Sequence, residues 1–256
     1  MTRRMKLVVA YLGGNYHGWQ LQPGQRTVQG ELERALCSLT GSRRVPIVGA
    51  GRTDAGVHAA AQVAHADLPT AIPPDGLVRG LNNILPPEIR IRSARPVGPG
   101  FHARKSALGK LYTYRARWRE ASLPWLEPRS ATVVEVKGGE GDLLSAAQLL
   151  AGRHDWASFT VPDPGPGSTV RSLFRVRLHR RRDGLDFDFV GEGFLRYQVR
   201  RLVGALLEVG WERRRVSEFQ ALIEDPIPGA PVLTAPAPGL TLERVYYRPS
   251  PLLSFE

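Results

Sequence analysis

An α+β fold is predicted, with two similar α/β sandwich domains whose mostly antiparallel sheets carry helices on one face. Three observations predict it. Stretches of strand periodicity alternate with stretches of helical periodicity along the whole chain. The strands of the second half are joined by short hairpins, which favours antiparallel pairing. A turn-rich seam, RPVGPG at 95–100, divides the sequence into similar halves, giving domains at 1–98 and 99–256.

In the first half, residues 6–12 read as a buried strand. Thr27 is placed to cap a helix running to Thr40, with Val28, Leu32, Ala35, Leu36 and Leu39 on one face. The single cysteine, Cys37, falls within that helix, is expected as a buried core thiol and has no disulfide partner in the chain. Strands follow at 45–50 and 62–67, flanking the loop GAGRTDAGVHA. A proline-rich stretch, 69–87, encloses a short helix at 76–82, and 89–93 alternates as a strand.

In the second half, residues 111–118 form a strand with Tyr112, Tyr114 and Trp118 on one face and Thr113, Arg115 and Arg117 on the other. Asp142 is placed as the cap of a helix ending before Gly152. Residues 171–182 and 185–190 make a hairpin across Asp183-Gly184. Counting from that turn sets Leu178 opposite Phe189, Arg181 opposite Asp186 and His179 opposite Asp188, which makes those aspartates charge partners. A helix spans 198–209, with Val199, Leu202, Val203, Leu206 and Leu207 as its apolar arc. Arg201 is expected in solvent. Arg200 lies at the edge of the arc near Leu207 and needs an acceptor there. Ser217 and Gln220 read as a capping box, and 241–247 as the closing strand.

The composition narrows the partner. At 42% hydrophobic and 23% charged, the chain has ordinary globular proportions. The apolar stretch after the basic first residues is too short for a signal peptide, and no run reaches membrane-spanning length, so a cytoplasmic location is expected. Thirty-five Lys and Arg against 24 Asp and Glu give a formal charge of +11, a balance suited to a polyanion. Residues 104–119 concentrate it: Arg104, Lys105, Lys110, Arg115, Arg117 and Arg119 occur without an acid, interleaved with Tyr112, Tyr114 and Trp118. Such a pattern suits a groove that tracks RNA backbone and offers faces for stacking. The run Arg213-Arg214-Arg215 reads as a solvated helix end. The histidines show no H-x-x-x-H spacing and no Cys/His cluster, so no metal site is expected.

The loop at 49–59 is the densest concentration of reactive residues. Arg52, Thr53, Asp54 and His58 lie among glycines that let the backbone turn sharply or approach a ligand. A carboxylate beside an arginine is held ionised, as a nucleophile or base requires. The same stretch also makes an Asx turn with a local ion pair, and these residues alone do not decide between the two readings.

A wider pattern does. GRTDAGVHA resembles the signature of the tRNA pseudouridine synthase A family, in which the aspartate of the motif is the essential catalytic residue. YLGGNYHGWQLQPGQRTVQGELERAL (11–36) is similar to the family's opening, FHARKSALGKLYTY (101–114) to its central segment, GFLRYQVRRLVGALLEVG (193–210) to its late helix, and APAPGLTLERVYY (235–247) to its closing strand. One departure is Leu111 beside Tyr112, where relatives often carry a basic residue; Lys110 covers that role.

The resemblance implies the pseudouridine synthase fold as an internal pseudo-repeat, and a homodimer whose basic cleft grips tRNA. It implies Asp54 as the catalytic nucleophile, Tyr112 in contact with the target uridine, and Arg200 near the aspartate. The implied activity is isomerisation of uridine to pseudouridine at positions 38–40 of the anticodon stem-loop. Arg52 is expected to steer RNA phosphate or to fill the place of the extracted base, and Arg104, Lys105 and Lys110 to follow the RNA backbone. The reaction is redox-neutral and adds no group, so no cofactor is expected. A non-catalytic RNA-binding protein fits the composition, but a carboxylate in its binding loop would only repel phosphate. A metal-dependent phosphoesterase would need a cluster of Asp and His ligands.

Overall fold

The structure is a computed structural model, and it describes residues 2–119, 128–136, 139–161 and 167–254. These divide into two compact units. The first comprises Met1–Ala107 with Thr241–Tyr247, and the second Leu108–Leu240 with Arg248–Glu256. The passage between them thus lies a few residues beyond the 95–100 seam, and a late segment returns to the first unit.

In the first unit, β1 (Arg3–Tyr11) is central, antiparallel to β3 (His58–Leu68) on one side and to β4 (Ile89–Pro96) on the other. The alternation of β1 sends Met5, Leu7, Val9 and Tyr11 into the core. The closing strand β10 (Leu240–Tyr246) runs parallel to β3, with Thr241 beside His58 and Leu242 beside Ala59.

Helix α1 (Val28–Thr40) starts where expected, because the Thr27 hydroxyl accepts from the Gly30 N–H at 3.2 Å. It stops at Gly41, in the left-handed conformation. Val28, Leu32, Ala35 and Leu36 are buried, but Leu39 and Cys37 are only half-buried, so Cys37 is not the core thiol the spacing predicts. Helix α2 (Pro74–Ile84) extends the predicted piece at both ends and packs on β4, where the Asn82 side chain pairs with the Ile91 backbone in both directions.

The predicted strand at 45–50 contracts to β2 (Val48–Gly49). Side chains of α1 take the Ile47 backbone instead: Ile47 N–H donates to Glu33 at 3.1 Å, and its carbonyl accepts from Gln29 at 3.3 Å. Pro46 has no N–H to offer a ladder.

In the second unit, β5 (Gly109–Trp118) is antiparallel to β9 (Gly184–Gly191) and parallel to the short β6 (Ala131–Val133). Beyond β9 lie β8 (Val170–Arg181) and β7 (Gly152–Asp155). The hairpin forms, but its two loop residues are Arg182 and Asp183, so the register differs by two from the count made on Asp183-Gly184. Leu178 pairs with Phe187, and His179 with Asp186. A shift of two keeps every side chain on its face. The expected charge pairs survive as diagonal neighbours: Arg181 to Asp186 at 2.7 Å and His179 to Asp188 at 3.2 Å.

Helix α3 (Glu140–Gln148) begins at Gly139, not at Asp142. A Cβ at Gly139 would lie 2.6 Å from the Gly210 carbonyl, so close packing sets this start and leaves Asp142 in the first turn, where its charge suits the helix dipole. Helix α5 (Val216–Glu224) likewise begins two residues before its expected capping box, because Glu218 accepts the Arg215 N–H at 2.9 Å.

Helix α4 (Gln198–Gly210) matches its predicted span. Arg201 does not reach solvent. Its guanidinium is buried and donates to the carbonyls of Ser158 and Ala230, at 3.1 and 2.6 Å. The wheel assumed one covered face, whereas α4 is covered nearly all round, with Gly204 so close to the Leu233 backbone that a Cβ would not fit. No helix among the described residues is long and apolar enough to cross a membrane.

Candidate active site

The loop 50–57, between β2 and β3, is held by its backbone on several sides. Trp19 N–H donates to the Thr53 carbonyl at 3.1 Å, Gly56 N–H to the Tyr16 carbonyl at 3.3 Å, and Ala50 N–H to the Val63 carbonyl at 2.7 Å. Val57 N–H donates to the Asp54 carbonyl at 3.2 Å. That bond closes a β-turn whose third residue, Gly56, has φ +81°, a value glycine adopts freely. The turn therefore uses the main-chain carbonyl of Asp54.

The segment that grips this loop is 13–19. Gly18 has φ +83°, and a Cβ there would lie 2.5 Å from the Thr53 carbonyl. Gly49 packs against the Trp19 indole, which a Cβ at Gly49 would meet at 2.6 Å. The glycines of the two motifs thus let two backbones and a ring approach each other.

Beneath the loop, the buried Tyr11 hydroxyl is 2.8 Å from the Thr53 hydroxyl. Burial pushes the Tyr11 pKa far up, so the phenol stays neutral. Gln62 donates to the Gly51 carbonyl at 3.0 Å, and the buried His58 accepts from the Gly13 N–H through Nδ1 at 3.0 Å. Asp54 itself is half-buried, at the lip of the loop. Arg52 is exposed and donates through Nε to Gln20 at 3.2 Å.

The other expected site residues lie in the second unit or elsewhere in the first. Tyr112, on β5 opposite Phe189, is buried with its ring edge-on to Phe194, centroids 5.1 Å apart. Arg200, in the first turn of α4, is half-buried. Its Nε donates to the Ala235 carbonyl at 2.8 Å, while Ala235 N–H donates back to the Arg200 carbonyl at 3.0 Å. The acceptor demanded by its place on the helix edge is therefore present. The Arg200 guanidinium also lies 5.1 Å from the Tyr197 ring, and Arg196 lies 5.2 Å from the same ring. Tyr197 holds a left-handed φ of 61°, a strained conformation for an aromatic residue. Lys110 is half-buried near the start of β5, paired with Gly191.

Arg104 and Lys105 are exposed on a turn whose two N–H groups converge on His102 Nδ1, each at 3.2 Å. The His102 ring lies 4.9 Å from His65, whose Nδ1 accepts from Ala103 N–H at 3.1 Å. His65 stands seven residues along β3 from His58, about 23 Å at the usual rise per residue. The first unit therefore brings Arg52 and Asp54 into one loop and puts Arg104 and Lys105 at the far end of the same strand.

Sequence reading missed Tyr11, Gly18 and Gln62 as supports of the loop, and Phe194 and Tyr197 as partners of Tyr112 and Arg200. The glycines of GGNYHG were the only local sign of the first group.

The family described as tRNA pseudouridine synthase matches residues 7–104 and 146–248. The tRNA pseudouridine synthase A of Limosilactobacillus fermentum is 41% identical over 251 residues, covering 95% of this chain and 96% of that one. The enzyme of that name from Frankia casuarinae is 40% identical over 261 residues, covering 98% and 92%. Its namesake from Bacillus subtilis is 38% identical over 245 residues, covering 95% and 99%.

Proposed function

The chain belongs to the tRNA pseudouridine synthase family, and from that premise we propose that it isomerises uridine to pseudouridine at positions 38–40 of the anticodon stem-loop, with Asp54 as the catalytic nucleophile. The observation that carries the assignment of Asp54 is its setting. It is a half-buried carboxylate on a loop whose backbone is tied to 13–19, to Val63 and to itself.

The reaction breaks the N1–C1′ bond of uridine, turns the uracil and joins C5 to C1′. The hydrogen on C5 leaves as a proton, and no electrons are gained or lost. A carboxylate contributes by attacking C1′ or C6, or by taking a proton from the sugar. All three roles need an ionised, well-aimed oxygen pair, which a pinned loop supports.

The target base must leave the stack to be reached. The resemblance supports Tyr112 as the contact to that uridine and Arg200 as a group acting beside the aspartate. Exposed Arg52 is suited to a phosphate or to the gap left by the extracted base. Arg104, Lys105 and Lys110 are read as RNA-backbone contacts, and the formal charge of +11 supports a polyanionic partner. The enzyme is read as a cytoplasmic homodimer that needs no cofactor, and sedimentation at twice 28.2 kDa would bear out the dimer.

The test is tritium release from tRNA labelled at uridine C5. Wild type should release it to water, and Asp54→Ala should not, while still binding tRNA. Release by the variant at the wild-type rate would sink the assignment of Asp54. No release by either protein, with tRNA bound, would leave a binding protein.

A further inference from the structure

We propose that Tyr11, through its hydroxyl contact with Thr53, is a positioning residue for the reaction and helps fix the direction in which the Asp54 carboxylate points. The inference rests on the reading of Asp54 as the catalytic carboxylate.

The argument starts from the two peptide groups that flank Asp54. The Thr53 carbonyl accepts from Trp19 N–H at 3.1 Å, which fixes the 53–54 peptide plane. The Asp54 carbonyl accepts from Val57 N–H at 3.2 Å, which fixes the 54–55 plane. With both planes held, the Cα–Cβ bond of Asp54 has a set direction.

The first of these planes belongs to a residue that is itself buried and β-branched, with few allowed side-chain rotamers. The Thr53 hydroxyl is 2.8 Å from the Tyr11 hydroxyl, which locks that rotamer. Tyr11 comes from the end of β1, where it pairs with Ala59 on one side and Ile89 on the other, so it transmits the position of the sheet to the loop. Its ring is buried and stands 6.1 Å from Trp19, the residue whose N–H holds the Thr53 carbonyl. Thr53 is therefore gripped at side chain and carbonyl by two residues that touch each other. Neither Tyr11 nor Thr53 needs to meet substrate for this. A neutral, buried phenol acts here as a hydrogen-bonding post.

Tyr11→Phe removes one oxygen and leaves the ring. The expected result is a fall in kcat of about ten- to a hundredfold, as for a small misplacement of a reacting group, with KM for tRNA held within about twofold. Thr53→Val should behave the same way, and Thr53→Ser, which keeps a hydroxyl, should recover most of kcat. Tyr11→Phe also removes the contact of the same hydroxyl with Gln62, so the double variant should be no worse than Tyr11→Phe alone. Each protein is first checked by its thermal melt, and kcat is taken per folded molecule.

Wild-type kcat in Tyr11→Phe would overturn the inference. So would a loss carried by KM, losses that multiply in the double variant, or a Thr53→Ser as slow as Thr53→Val. Asp54→Asn, run in parallel, separates the two levels: full activity there would remove the reading beneath, whereas an inactive Asp54→Asn beside a fully active Tyr11→Phe removes the positioning role alone.

Discussion

Asp54 and Asp186 are the same residue put to different ends, and the difference lies in what holds each. Asp186, on β9, is held by its carboxylate: Arg117 Nη1 stands 2.8 Å from one oxygen and Arg181 Nε 2.7 Å from the other. Its neighbour Asp188 accepts from the Thr113 hydroxyl at 2.6 Å and stands 3.2 Å from His179. These aspartates complete a ladder of side chains on a regular hairpin. The loop around Asp54 is pinned through its main chain, by Trp19, Val57 and Tyr16. Two guanidinium groups use the Asp186 carboxylate up as structure, whereas a pinned backbone sets the direction in which Asp54 leaves its loop.

The largest expected effect separates the two on activity. Asp54→Asn should lower turnover by on the order of a thousandfold or more in a protein that still melts as a folded molecule. Asp186→Asn should instead cost about 2 kcal/mol of stability in denaturant melts, since buried Arg117 loses one of its two carboxylate partners and keeps Asp183 at 3.4 Å. Its turnover per folded molecule should match wild type. If both variants lost activity at unchanged stability, the contrast between the regions would collapse.

A smaller effect sharpens the hairpin side. Burial alone would raise the Asp186 pKa, but the guanidinium groups of Arg117 and Arg181 outweigh it and hold the carboxyl below its usual value. A carboxyl lowered in the folded state contributes stability above its unfolded pKa, about 3.9, and loses it as pH falls through the folded value. Acid titration of wild type should therefore show a loss of stability beginning near pH 4, and the loss should be shallower in Asp186→Asn. The smallest effect concerns the far end of β3: Arg104→Ala with Lys105→Ala should weaken tRNA binding a few-fold and reduce the salt slope by about two. An unchanged slope would remove those residues from the RNA contact.

What the sequence revealed follows from the range of the forces involved. Thr27 and Gly41 bound α1 through contacts three or four residues away, and α4 shows its span in its own apolar spacing, so both are legible locally. The α3 and α5 starts were misplaced because Gly139 meets Gly210 and Glu218 reaches back to Arg215, choices that composition at the expected caps does not reveal. The hairpin faces were right and its register wrong, since a two-residue slip leaves periodicity untouched. Arg201 was misread because its acceptors, Ser158 and Ala230, belong to segments far along the chain. The candidate site divides the same way. Asp54 and Arg52 stand out in a contiguous motif, but the Tyr11–Thr53 contact spans 42 residues and has no periodic sign.

The return of Thr241–Tyr247 to the first unit has a consequence for the order in which the protein is made. The loop bearing Asp54 leads directly into His58 and Ala59, and the edge of β3 at those two residues is completed by Thr241 and Leu242. Translation adds roughly 5–20 residues per second, so about ten seconds or more separate the emergence of the Asp54 loop from that of β10. During that interval the nascent chain carries an open sheet edge beside its own reactive loop, a site for mispairing. The first unit cannot complete its sheet until Thr241 and Leu242 have been made, so its folding waits on most of the second.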